Sequence, residues 1–183
     1  MGDEFNIENV ENLVTNVPLM EISDISKIIK EMIKIKNDVT RVINKKTKIY
    51  DIEDKTSLNN FTDNLKAKIK KCHIDSYDIV DDAINCIEEL EPAIRRDLYD
   101  YYWEVYLDVL SEMEISINNT ESIKNHSDKI YSNLLSRIND QIFTGKKSKI
   151  ETNKKITYLN AITAYVFYEC KFLIPIEGDA IML

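Results

Sequence analysis

At 183 residues and 21.4 kDa the chain has the length of one domain and can bury a core without a disulfide or a metal. Its 32 acidic and 24 basic residues give a formal charge of −8 and a pI near 4.9, which repels phosphate backbones and disfavours broad nucleic-acid binding. Ten Tyr, five Phe and one Trp argue against disorder, and Cys72, Cys86 and Cys170, an odd number without CxxC spacing, read as core residues of a reducing compartment.

The opening MGDEFNIENVENL is acidic and carries no basic n-region or apolar run, so it is read as a leader over 1–22 and not as a secretory signal. No apolar stretch reaches the roughly 20 residues that a membrane span needs. The chain is expected to be cytoplasmic, with 23–183 forming one helical interaction domain. Only three Gly and three Pro are present, and Pro18, Pro92, Gly145 and Pro175 fall where helix patterns start or stop, which predicts an all-α fold.

The first helix is predicted from about Ser23 to Lys46. Ile25, Ile28, Met32, Ile35, Val39 and Val42 step alternately by three and four, a heptad seam that Ile29, Ile33 and Ile43 widen toward more than one neighbour. Lys27, Lys30, Lys34, Lys36 and Arg41 occupy its other faces and read as a solvated basic face. Polar residues then interrupt the period from Lys48 to Asn60. A second helix follows from a Ser57 cap, with Leu58, Phe61, Leu65, Ile69 and Cys72 on one face.

A turn at His73-Ile74-Asp75 is expected to open a third helix that ends near Leu90, with Tyr77, Val80, Ala83, Ile84, Ile87 and Leu90 inward. Pro92 sits where a first helical residue belongs and starts a fourth helix running to about Ile117. Asn118 to Asn125 reads as an exposed hinge. Ser127 or Asp128 then caps a fifth helix with Ile130, Leu134, Leu135, Ile138 and Ile142, closed by Gly145. The last segment, Thr152 to Ile176, carries Ile156, Leu159, Ile162, Val166 and Leu173 at helical spacing and predicts a buried final helix. The sum is an irregular bundle of about six helices in a single domain.

Chemistry-bearing patterns are sparse. Cys72 and His73 are neighbours whose side chains would leave a helix about 100° apart, and His126 precedes a cap in an exposed loop, so no nucleophile–base pair emerges. Neither a Walker A sequence nor GxGxxG occurs. Asp75, Asp78 and Asp82 share a helical face and could attract a divalent cation, but the segment lacks the order of a calcium loop and reads as a solvated acidic face. No catalytic residue, metal ligand or cofactor is therefore assigned. The group Tyr99, Tyr101, Tyr102, Trp103 and Tyr106 is spaced too closely to enter one core, so Tyr102, Trp103 and Tyr106 are read as divided between core and partner contact.

Two segments carry a family likeness. Tyr50-Asp51-Ile52-Glu53-Asp54-Lys55-Thr56 with Leu58-Asn59-Asn60, and Tyr168-Glu169-Cys170-Lys171-Phe172-Leu173-Ile174-Pro175-Ile176, resemble the helical C-terminal domains of proteins in bacterial ABC-three-component defence systems. The resemblance runs from about Lys27 onward. It implies a docking module that joins an effector to an SMC-like ABC ATPase and a small middle component, present here without the effector portion. It further implies contact residues Asp51, Glu53, Lys55, Asn59, Asn60, Glu169 and Lys171. A non-catalytic docking domain that binds protein partners or copies of itself is the expectation; a DNA-associated regulator using the lysine-rich first helix, or a small enzyme with an unrecognised site, are the alternatives.

Overall fold

In the computed structural model, residues 22–38, 49–143, 152–169 and 172–174 are described. They form an all-α bundle of α1 (Ile22–Asn37), α2 (Ile49–Leu58), α3 (Asp63–Glu88), α4 (Ile94–Glu112), α5 (Thr120–Asn125), α6 (Ser127–Phe143) and α7 (Thr152–Glu169), with no strand among the described residues. Residues from all seven helices enter one contiguous apolar core.

The seam of α1 is buried as its spacing predicts: Ile25, Ile28, Met32 and Ile35 are all inside, and Ile29 is buried beside them. That breadth suits a helix that packs against α3, α6 and α7 as well as α4. The seam's predicted continuation through Val39, Val42 and Ile43 lies outside the described residues.

From Ile49 to Leu58 the expected interruption is instead a helix. Ile52, Lys55, Thr56 and Asn59 recur at helical spacing and are all buried, so the helical period is present but written largely in polar residues, which hides it from a hydrophobicity reading. Helix α2 ends in a Schellman arrangement: Asn60 takes φ 53°, Phe61 N–H donates to the Thr56 carbonyl at 3.4 Å and Asn60 N–H to that of Ser57 at 3.0 Å. Glu114 ends α4 in the same way, with φ 56° and Ile115 N–H reaching the Leu110 carbonyl at 2.9 Å.

The predicted turn at His73 is likewise absent, since α3 continues for 26 residues, about 39 Å. Nothing in His73-Ile74-Asp75 breaks a helix. His73 lies four residues after Ile69 on the buried face, while Lys71 and Asp75 pair across a turn on the exposed side at 2.6 Å.

Other boundaries shift for local reasons. Leu90, expected inward, is 87% exposed because α3 has ended at Glu88. Pro92 belongs to the turn closed by Ile94 N–H on the Glu91 carbonyl at 3.1 Å, where proline suits the second position; α4 starts at Ile94. The expected hinge contains α5, whose Asn119 side chain caps it by accepting from Ser122 N–H at 3.0 Å.

The last helix is the centre of the bundle. Every residue of α7 from Ala161 to Phe167 is buried, as required of a helix surrounded by neighbours, and α3, α6, α1 and α4 supply them. Ile156, expected on the core face, is 45% exposed because α7 enters the core only from Leu159 onward. After α7, Phe172 and Leu173 return to the core.

An Ile35→Asp substitution places an unpaired carboxylate against α1's neighbours and should cost several kcal/mol. Leu90→Ser, at the exposed α3–α4 turn, should stay within about 0.5 kcal/mol of the parent. Urea denaturation of the two variants checks the pair, and equal stabilities would refute the assignment of core and surface.

Candidate partner-binding site

The two segments that carry the family likeness meet. Asn59, at the end of α2, is fully buried and treats Ile174 as a strand partner would: its Nδ2 donates to the Ile174 carbonyl at 3.0 Å and its Oδ1 accepts from Ile174 N–H at 2.8 Å. The same Nδ2 donates to the Lys55 carbonyl at 2.9 Å. Lys55, only 3% exposed, donates through Nζ to the Tyr168 carbonyl at 3.3 Å, across 113 positions of sequence. Its ammonium also lies 4.9 Å from the centre of the Phe167 ring. Tyr168 is near the C-terminus of α7, where carbonyls lack helical partners and a cation is favoured.

This arrangement divides the expected contact residues. Lys55 and Asn59 direct their polar atoms into the chain, and Tyr102 and Tyr106 are buried, so these four offer no free surface and the contact surface expected at them is corrected to internal packing. Tyr102 shares a 2.8 Å hydrogen bond with Thr163 of α7. Glu53, Asn60 and Glu169 are exposed, and Trp103 is half-buried. Glu53 pairs with Lys70 and Glu169 accepts from the Tyr77 hydroxyl. The side chain of Asp51, and Lys171 altogether, lie outside the described residues.

The sequence reading passed over a second cluster. Arg95 of α4 reaches α3 and α7 together. Its Nε and Nη2 bind both oxygens of Glu88 at 3.0 and 3.1 Å, Nη1 binds Asp81 at 2.9 Å, Nη2 binds Asn85 at 2.6 Å, and Nη1 also meets the Tyr165 hydroxyl. Tyr165 in turn donates to Asp81 at 2.9 Å. Asp81, Asn85 and Glu88 follow one another by four and three residues on α3, so their shared face was legible in sequence. What sequence could not supply was the partner, an arginine across a turn.

Burial favours the neutral form of Asp81, but Arg95 and Tyr165 outweigh it and hold the carboxyl below its usual range. Burial pushes Tyr165 upward, helped by Tyr99, and lifts Tyr101 and Tyr106 to about 12. These phenols are neutral near pH 7, and the cluster's bonds run between helices, fixing α7 against α3 and α4.

The two histidines occupy unlike settings. His73 is buried with its ring centre 5.0 Å from that of Tyr77 and 4.5 Å from that of Tyr168. His126 is exposed between α5 and α6, with Nδ1 2.8 Å from the Ser122 carbonyl. An open cleft of about 540 Å³ between α4 and α6 is lined by Val109, Glu112, Asn133, Arg137 and Gln141 among others, and Arg137 is paired there with Asp108 and Glu112. Among the described residues, no trio of His, Cys, Asp or Glu side chains could hold a metal ion, and no helix is long and apolar enough to cross a membrane.

Because the folded pKa of Asp81 is depressed, its contribution to stability is present above the unfolded value of about 4 and is lost as pH falls through the folded value. Asp81→Asn should therefore lower stability at pH 7 by on the order of 1 kcal/mol, discounted for partial exposure, and flatten the loss of stability below pH 4. Thermal melts of both proteins from pH 7 to pH 2 would show this, and parallel curves would contradict it.

No family model matches the chain, and neither a curated protein nor a solved structure matches it.

Proposed function

We propose that this chain is a non-catalytic docking domain that binds protein partners in an ABC-three-component type of defence complex in the cytoplasm. The observation that carries the reading is the seam between α2 and the end of the chain. Two segments more than a hundred positions apart are joined by partly buried bonds through Lys55 and Asn59, and exposed Glu53, Asn60 and Glu169 flank those bonds in sequence. A rigid base with a charged rim suits a surface that selects a partner through electrostatic complementarity. The SMC-like ATPase or the middle component is the partner the resemblance implies, and a second copy of the chain would use the same kind of surface.

The lysines of α1 give less support to a DNA-reading face. Lys27 pairs with Asp24 at 2.9 Å and with Glu91 at 2.8 Å, and Lys34 pairs with Glu31 at 2.6 Å. The charges of Lys27 and Lys34 are answered within the chain, which weakens the counterion release on which backbone binding relies.

Co-purification with an SMC-like ATPase and middle component tests the proposal. Glu53→Lys with Glu169→Lys should weaken association about tenfold or more while moving the melting curve little. Tyr102→Phe, which removes a buried hydroxyl, should lower stability by about 1 kcal/mol and leave association intact. Equal association by the parent and the charge-reversed chain, or no association by the parent, would overturn the reading.

A further inference from the structure

Helix α3 carries the charges of its outer face in two blocks. Asn64, Lys68, Lys71, Asp75, Asp78 and Asp82 follow one another by four and three residues, the spacing of a single stripe along a helix. Asn64, Lys68, Lys71 and Asp75 are exposed, and Asp78 and Asp82 are half-buried. Ile69, His73, Val80 and Ile84 take the opposite face into the core, so the stripe points away from the bundle. The blocks meet at Lys71 and Asp75, which pair at 2.6 Å. Their order runs against the helix dipole, with lysines in the first half, aspartates in the second and no base in the last turn. Asp75, Asp78 and Asp82 are also neighbours along the stripe, where like charges repel.

We propose that this face docks on a second copy of the chain, the two α3 helices lying antiparallel about a two-fold axis that crosses the stripe between Lys71 and Asp75. The stripe is complementary to its own reverse. Lys71 comes opposite Asp75 of the partner subunit, Lys68 opposite Asp78 of the partner subunit and Asn64 opposite Asp82 of the partner subunit, and the symmetry makes each contact twice. A parallel pairing would set lysine on lysine and aspartate on aspartate. The antiparallel one places the partner's lysines beside the crowded aspartates and opposes the two helix dipoles. Exposed Ala67 and half-buried Ile74, which lies outside the core cluster, border the stripe and add apolar contact. A contact one helix wide and mostly polar makes a weak, salt-sensitive dimer and not a permanent one. It uses none of the rim residues Glu53, Asn60 and Glu169, so it stands or falls separately from the docking proposal.

Sedimentation equilibrium of the full chain tests it. In low salt the parent should show a monomer–dimer equilibrium, and raising sodium chloride from about 0.02 M to about 0.5 M should weaken it about tenfold or more. Lys68→Glu with Lys71→Glu makes the stripe acidic, and Asp75→Lys with Asp78→Lys makes its centre basic. Each variant should stay monomeric alone, while an equimolar mixture should form a heterodimer at least as tight as the parent's dimer. If either double variant does not fold, Lys71→Glu and Asp75→Lys carry the same comparison. A parent that stays monomeric at millimolar concentration in low salt, a dimer indifferent to both charge reversals, or a mixture that does not associate would overturn the proposal.

Discussion

The burial of α7 on every side between Ala161 and Phe167 governs the rest of the structure. A helix surrounded in this way leaves no face on which polar atoms can reach water, so each one must find a partner in a neighbouring helix. Thr163 meets Tyr102 of α4. Tyr165 meets Asp81 of α3 and Arg95 of α4. The end of the helix needs carbonyl acceptors satisfied, and Lys55 of α2 extends to Tyr168. The positions of α2, α3 and α4 around α7 are therefore specified by polar geometry as well as by apolar packing, which is less directional.

That requirement also explains which elements were legible in sequence. Helix α1 announced itself because its neighbours take apolar side chains along the described seam from Ile25 to Ile35. Helix α2 did not, since Lys55, Thr56 and Asn59 fill inward positions in place of Leu or Ile. Thr56 satisfies its hydroxyl locally on the Glu53 carbonyl at 2.9 Å, but Lys55 and Asn59 bond to residues far along the chain, and such partners cannot be read from local spacing. His73 misled for the same reason. A polar residue in the middle of α3 resembled a turn, although Tyr77 and Tyr168 receive its ring in the folded chain.

The aromatic group on α4 shows the converse error. Close spacing around a helix argues against entry of the whole group into one core, and from that a division between core and partner contact was expected for Tyr102, Trp103 and Tyr106. Helix α4, however, packs against α6, α3, α7 and α1, so its buried arc is wide enough to take both tyrosines, with Tyr99, Tyr101 and Trp103 half-buried at its margins. Glu53, Asn60 and Glu169 were legible as surface residues because little in their chemistry favours burial. That the two segments carrying them meet was not, because it depends on the bonds of Lys55 to Tyr168 and of Asn59 to Ile174.

Three non-glycine residues among those described have positive φ: Asn60, Glu114 and Leu173. The first two close helices through Schellman hydrogen bonds, and there the backbone bonds offset the cost of the conformation. Leu173 ends no such helix, and a left-handed conformation costs a residue with a β-carbon roughly 1–2 kcal/mol. Part of the offset is the burial of Leu173 itself, and the rest lies on either side. Burying a phenylalanine side chain is worth about 1.5–3 kcal/mol, and Phe172 is fully buried, while Asn59 holds Ile174 at both backbone groups. Leu173 is thus held in an unfavourable conformation by its own burial and by well-placed flanking residues, so the free energy that seats this short segment is shared among the buried Phe172 and Leu173 side chains and the Asn59 contacts.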